Sequence, residues 1–315
     1  MKLLLSILLV TVCFARAEVA DKPTLFVLVG APGEEEFGKQ FAEAAAKWEK
    51  VAGAAQAKLV TIGQSAETNG LARFKTALET EAKDGTGEVW LVLIGHGTFD
   101  GKEARFNLRG PDLAAGELAE WLKPFKRPIA VVNCASASGP FINKLAAPGR
   151  IVVTATRSGQ EVNFTRFGGH FAEAISSAEA DLDKDGQTSL LEAYLMASSR
   201  VAEFYNTEGR LATEHALLDD NGDGLGTPPD WFRGVRAVKK AKEGASADGL
   251  RAHQFVLVRS DQERKLPPAV RAKRDALELA IGKLRDDKAS VPEAEYYKLL
   301  EPMLLDLARL YQSAK

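Results

Sequence analysis

From Thr24 onward, short runs of Val, Ile, Leu and Phe alternate with blocks of helical periodicity, and this alternation constrains the chain more than any other feature. TLFVLVG, KLVTIG, VWLVLIG, PIAVVN and RIVVTAT read as strands, and EEFGKQFAEAAAKWEKVA reads as an amphipathic helix. Further helices are expected around Leu71 to Ala82, from Asp112 to Leu122 and near Phe141. Continuous apolar strands separated by helices predict an α/β fold, a mainly parallel sheet with helices on both faces. QFVLV, residues 254–258, is expected to add an edge strand. The strands end in Gly, Asn, Ser or Thr, which suits open loops at the carboxyl edge. Sheets of this kind place their sites at that edge.

The first residues follow a different rule. Lys2, the apolar LLLSILLVTV and Ala15-Arg16-Ala17 fit a secretory signal peptide cleaved after Ala17. That stretch is too short for a hydrocarbon core, which needs about 20 residues. Export to a periplasmic or extracellular location is the expectation. Cleavage removes Cys13 and leaves Cys134 alone, a thiol with no internal disulfide partner. The net charge of -2 carries no basic block, so nucleic acid is not an expected partner. No later segment is long and apolar enough to cross a membrane.

Three units follow: a signal peptide at 1–17, an α/β domain at 18–260 and a helical hairpin at 261–315. The stretch RGVRAVKKAKEGASADG before the hairpin reads as a solvated surface connection. LPPAVRAKRDALELAIGKLRDDK and PEAEYYKLLEPMLLDLARLYQ have helical periodicity and are expected to pair antiparallel, joined near Ala289 to Val291. Their Leu, Ile and Tyr stripes suit packing, with a protein partner as a further use.

Two apolar strands end in reactive side chains. EVWLVLIGHGTFDG delivers His96 and Gly97, and PIAVVNCASASG delivers Cys134. If the strands are neighbours, imidazole and thiol emerge on one edge. The thiolate could then attack an acyl carbon while the imidazole moves the proton. The N–H groups of Gly97 and Cys134 could hold the developing oxyanion. One cysteine and scattered histidines give no zinc spacing. His170, His215 and His253 are assigned structural or surface roles.

At these residues the chain resembles the caspase-like clan of cysteine peptidases, most closely its legumain-like branch. The resemblance rests on LVLIGHG and AVVNCASASG and covers roughly residues 24–205. It implies a caspase-like sheet, with Cys134 as nucleophile, His96 as general base and Gly97 in the oxyanion hole. VVTATRSGQEVNFTRFGGHF is similar to the segment that lines the family's specificity pocket, which makes Arg157, Ser158 and Glu161 candidate pocket residues. Two departures stand out. Asn133 precedes the cysteine, and Cys134-Ala135-Ser136-Ala137 replaces the family's Cys-x-Ser-Gly.

ADLDKDGQTSLLEAY carries the spacing of an EF-hand loop. Asp181, Asp183 and Asp185 alternate, Gly186 allows the sharp turn, Gln187 offers its carbonyl, Ser189 is ninth and Glu192 twelfth. The flanking segments read as helices. LLDDNGDGLGTPPDW is a second candidate, with Asp219, Asn221, Asp223 and Asp230, but Pro228 and Pro229 prevent a normal exit helix. Calcium is the expected structural ion, and no organic cofactor is expected. The leading function is an exported cysteine endopeptidase stabilised by calcium. The alternatives are a non-catalytic, calcium-braced binding module and a transpeptidase that passes the acyl group to an amine.

Overall fold

A computed structural model describes residues 22–242 and 245–313. The expected signal peptide, residues 1–17, and Cys13 lie outside the described residues. The chain begins with β1 (Thr24–Val29), α1 (Glu35–Ala55), β2 (Lys58–Ile62), α2 (Gly70–Thr80) and β3 (Val89–Ile94). A small antiparallel meander follows, β4 (Gly97–Phe99), β5 (Ala104–Phe106) and β6 (Leu113–Ala114), leading into α3 (Ala115–Leu122). Then come β7 (Ile129–Asn133), α4 (Pro140–Leu145), β8 (Arg150–Thr154), α5 (Phe167–Ala174), α6 (Leu190–Thr207) and β9 (Leu217–Asp219). A two-stranded hairpin, β10 (Phe232–Arg233) and β11 (Arg236–Ala237), precedes α7 (Leu250–Gln254), α8 (Asp261–Lys265), α9 (Pro268–Asp286) and α10 (Glu293–Ser313).

The main sheet has the order β2-β1-β3-β7-β8-β9, parallel except for β9. The expected fold class is the observed one. Residues of β1, β3 and β7 are buried throughout, so alternate side chains feed two separate cores. On one face Val27, Val92, Val132 and Cys134 pack with Phe41, Trp48, Phe171 and Tyr194 from α1, α5 and α6. On the other, Leu28, Leu91 and Val131 meet Phe74, Leu118 and Phe141 from α2, α3 and α4. α1 forms its stripe from Phe41, Ala44, Ala45, Trp48, Val51 and Ala52, the spacing that keeps apolar residues on one side of a helix.

Three expectations need correction. The edge strand is β9, not residues 254–258. That segment follows the short helix α7, and its Phe255 and Leu257 are buried against the sheet face, with the Phe255 ring 5.0 Å from Trp90. Alternating burial mimicked a strand where the chain packs across strands. The helix expected from Asp112 starts at Ala115, because Leu113 and Ala114 pair with β5 first. The basic connection is not solvated throughout: it contains β11 and ends at Asp248, only 3% exposed.

The helical hairpin forms as expected, turning at Lys288–Ser290. α10 leaves Tyr297, Leu299, Leu304, Leu305 and Tyr311 exposed. No helix of the described residues is long and apolar enough to cross a membrane.

Candidate active site

β3 and β7 are direct neighbours, with Leu93 level with Asn133. Their ends therefore deliver His96 and the segment after Asn133 to one edge. His96 leaves β3 among three aromatic rings, with centroids 4.8 Å from Phe37, 5.2 Å from Phe41 and 6.2 Å from Phe164. Its Nε2 stands 3.2 Å from the carbonyl oxygen of Pro32. A carbonyl only accepts, so Nε2 carries the proton and donates it there, and Nδ1 is left with its lone pair. Burial holds the imidazole below its ordinary value, against the opposing pull of the Pro32 bond and Glu34. The ring is therefore a neutral base near pH 7, oriented by a fixed carbonyl.

Gly97 opens β4 where two strands crowd it. A Cβ there would lie 2.3 Å from the Ser136 carbonyl oxygen and 3.0 Å from that of Arg105, so only glycine fits. Its N–H donates to Ser136 Oγ at 3.1 Å, and the same hydroxyl donates to the Gly97 carbonyl at 3.2 Å.

Cys134 occupies a different environment. Its N–H extends the β3–β7 ladder by one rung, donating to Leu93 at 2.9 Å. Its side chain is 4% exposed and belongs to the α1/α5/α6 core. Sγ makes one weak contact, to the Val132 carbonyl at 3.9 Å. α5 presses Gly168 against it so closely that a Cβ on Gly168 would sit 2.6 Å from Cys134 Cβ. Thr165 donates its hydroxyl to the Cys134 carbonyl. Burial, and then the nearby carboxylate of Glu214, push the thiol up to about 12. Reactive cysteines need the opposite, an exposed and electropositive setting. No hydrogen bond joins His96 to Cys134 among the described residues. The thiol lines a cavity of about 140 Å³ with Phe41, Ile94, Phe164 and Arg166, smaller than the roughly 300 Å³ at which ligand pockets begin.

The two N–H groups expected to form an oxyanion hole are thus both engaged inside the protein. Asn133 is fully buried; its Oδ1 accepts from Ala135 N–H at 3.1 Å, while its Nδ2 has no partner. Arg157, Ser158 and Glu161 do lie beside this edge. The Glu161 carbonyl accepts from Ala137 N–H at 2.7 Å, and the Arg157–Ser158 peptide runs against Gly139. Gly159 meets the Phe99 ring of β4, so the segment crosses both strand ends. The Glu161 carboxylate is pinned by Arg157 at 3.2 Å and by His215. His215 thus has a structural partner in Glu161.

In the first acidic loop, Asp181, Asp183 and Asp185 bring ligand atoms within 4.8 Å of one another, as do Asp183, Glu192 and His253. His253 comes from α7 and stands 3.0 Å from Asp183, a contact the sequence pattern did not suggest. Asp181 and Asp183 accept N–H groups of Asp185 and Gly186 at 3.1–3.2 Å. Ser189 caps α6, and Glu192 returns a bond to the Ser189 N–H at 2.8 Å. Gln187 reaches Ser260 N–H with its side chain at 3.0 Å. Converging carboxylates fit a hard cation with oxygen ligands.

The second loop repeats the internal bonds of the first, with Asn221 in place of the second carboxylate and no α-helix starting at the loop's end. Asp219 is fully buried and accepts the N–H groups of Gly222 and Gly224, both at 2.8 Å. Asn221 and Asp223 accept from Asp223 and Leu225 N–H in the same way. Asp230 is exposed on a 3-10 turn. No group of three carboxylates converges there among the described residues. Behind the loop lie Asp220 and Asp248, which sequence alone did not pick out. Burial, then the neighbouring Asp220 charge, push Asp248 up to about 8.

No protein-family model matches the chain, and no curated protein matches it in sequence. Among solved structures it is similar to caspase-1 from Spodoptera frugiperda, at 9% identity and a TM-score of 0.42, over 64% of this chain and 88% of that one. It is also similar to drICE, at 9% identity and 0.40, over 65% and 90%.

Proposed function

We propose that this protein is an exported, calcium-braced hydrolase of acyl-transfer type that cleaves peptide bonds at the carboxyl edge of its main sheet. The observation that carries the reading is the His96–Pro32 bond, which turns an imidazole at a strand end into an oriented, neutral base. Gly97, next in the chain, has the only residue type its surroundings admit and an N–H that can serve a developing oxyanion. Arg157, Ser158 and Glu161 supply a charged wall suited to the side chain next to the cut. The motifs LVLIGHG and AVVNCASASG support peptide rather than another acyl substrate through their resemblance to caspase-like peptidases. Export rests on the sequence of residues 1–17 alone.

In the Cys134–His96 dyad that the resemblance implies, the thiol must leave its contacts with Gly168 and lose its proton in spite of burial. Calcium in this proposal is held by Asp181, Asp183, Asp185, Glu192 and the Gln187 carbonyl, with Ser189 at the ninth position, and supplies charge neutralisation between α5 and α6. Asp219, Asn221, Asp223 and Asp230 form the weaker candidate, since Asn221 replaces a carboxylate and Pro228 and Pro229 remove the exit helix.

A second reading, a binding module without turnover, is favoured by the internal bonds of both oxyanion donors. Cleavage profiling of wild type and His96→Ala over a peptide library separates the two. Turnover that vanishes in His96→Ala supports hydrolysis, and an inert wild type supports the binding module. Product masses with added amine distinguish hydrolysis from transpeptidation.

A further inference from the structure

The cavity beside the thiol is too small for a whole ligand, but it has the size of one side chain. Its floor is buried and apolar, formed by Phe41 and Ala44 of α1, Ile94 at the end of β3 and Cys134 itself. Gln40, Phe164 and Arg166 line it as half-buried residues, so the cavity reaches the surface. Phe41 and Phe164 are also two of the rings that surround His96. The cavity therefore lies between the thiol and the aromatic cage of the base. An apolar cavity of about 150 Å³ holds a benzene molecule, and this one measures about 140 Å³.

We infer that this cavity seats the side chain of the substrate residue that supplies the acyl carbon, and that it selects an aliphatic residue of the size of Val, Leu or Ile. The inference rests on the hydrolase reading above, in which Cys134 attacks that carbon. A side chain branches from the atom next to its own carbonyl carbon, so the space beside Sγ is its nearest seat. An aliphatic group gains by leaving water there, whereas a charged one gives up its hydration to a floor with no partner for it. Both signs also meet an opposing charge. The buried Glu214 carboxylate, close enough to hinder ionisation of Cys134, repels an acidic side chain. The Arg166 guanidinium repels a basic one and is held on the Phe204 ring at 3.9 Å. Arg166 Nε is buried without a hydrogen-bond partner and is offered to a backbone carbonyl of the substrate. The wall of Arg157, Ser158 and Glu161 is left to the residue on the far side of the scissile bond.

The test measures kcat/KM over peptides that differ only at that residue, for wild type, Ala44→Leu and Phe164→Ala, each checked for an intact melting transition. Ratios taken within one variant cancel any common loss of turnover. Wild type should cleave after Leu about 10- to 100-fold faster than after Ala or Asp. Ala44→Leu fills the floor and should move the preference from Leu to Ala, and Phe164→Ala widens the cavity and should admit Phe. A wild type that prefers Asp, Asn, Lys or Arg, or a ranking that both variants leave unchanged, overturns the inference and leaves the hydrolase reading standing. Binding is read in parallel, without turnover, as the rise in melting temperature with acetyl-Ala-Ala-Leu-amide and with acetyl-Ala-Ala-Asp-amide. A rise with the Leu peptide alone, lost in Ala44→Leu, is the expected result. If the wild type cleaves nothing, that rise removes the hydrolase reading and keeps the cavity as a seat for an aliphatic side chain. An inert wild type without such a rise overturns both.

Discussion

Cys134 and His96 stand at the ends of neighbouring strands, yet their surroundings differ. The thiol is enclosed by a hydrophobic core, with a buried carboxylate nearby that opposes its ionisation. The imidazole is half-buried among aromatic rings and donates to the Pro32 carbonyl. The difference teaches that a strand end is not one environment: the base is oriented as it stands, and the thiol must leave its contacts before it can ionise.

The largest effect expected from breaking this comparison is kinetic. His96→Ala should reduce kcat/KM by roughly 10²- to 10⁴-fold, with the melting temperature little changed, as measured by progress curves beside calorimetry. The pH profile sharpens the same point. His96 is held below its ordinary value of 6.5, so the neutral base persists into mild acid. The acid limb of kcat/KM should therefore lie below 6.5 and steepen toward lower pH. A limb above 6.5 would mean that another group controls the base.

Calcium comes next. Chelation by EGTA should lower the melting temperature, and added calcium should restore it. The stabilisation is about 2.7 kcal/mol when the ion is a hundredfold above its Kd. Asp185→Ala should remove this response, whereas Asp223→Ala should leave most of it. Equal loss in both would make the two loops equivalent and contradict the structural contrast between them.

Smaller effects are expected where side chains only fill or satisfy the interior. Cys134→Ala should cost about 1 kcal/mol in denaturant unfolding, because its thiol packs in the core. Asp248 has a folded pKa raised to about 8. The stability it contributes is fully present below the unfolded carboxylate range and is lost as pH rises toward 8. Asp220→Asn keeps an oxygen for the Arg251 and Ala252 N–H groups and offers Asp248 an amide donor. It should raise stability near pH 8 by about 1 kcal/mol and flatten the pH dependence.

Much of this molecule was legible before any coordinates. Of the five parallel strands, β1, β3, β7 and β8 are buried throughout and so read as apolar runs, while β2 at the sheet edge is only partly buried. The alternation left open whether the His96 and Cys134 strands are neighbours, and the β3–β7 pairing meets that condition. The EF-hand spacing located Asp181, Asp183, Asp185 and Glu192, but His253 arrives from a helix 70 residues away and left no local signal. Pro32 was equally hidden, because it acts through its carbonyl and any residue type supplies one. Phe255 and Leu257 misled for the reverse reason, since burial on alternate residues occurs wherever a chain crosses a sheet, paired or not.

The most direct measurement is peptide turnover by wild type and His96→Ala, each with an intact melting transition. The account predicts cleavage by the wild type and its near-complete loss in His96→Ala, and equal turnover in both would contradict it.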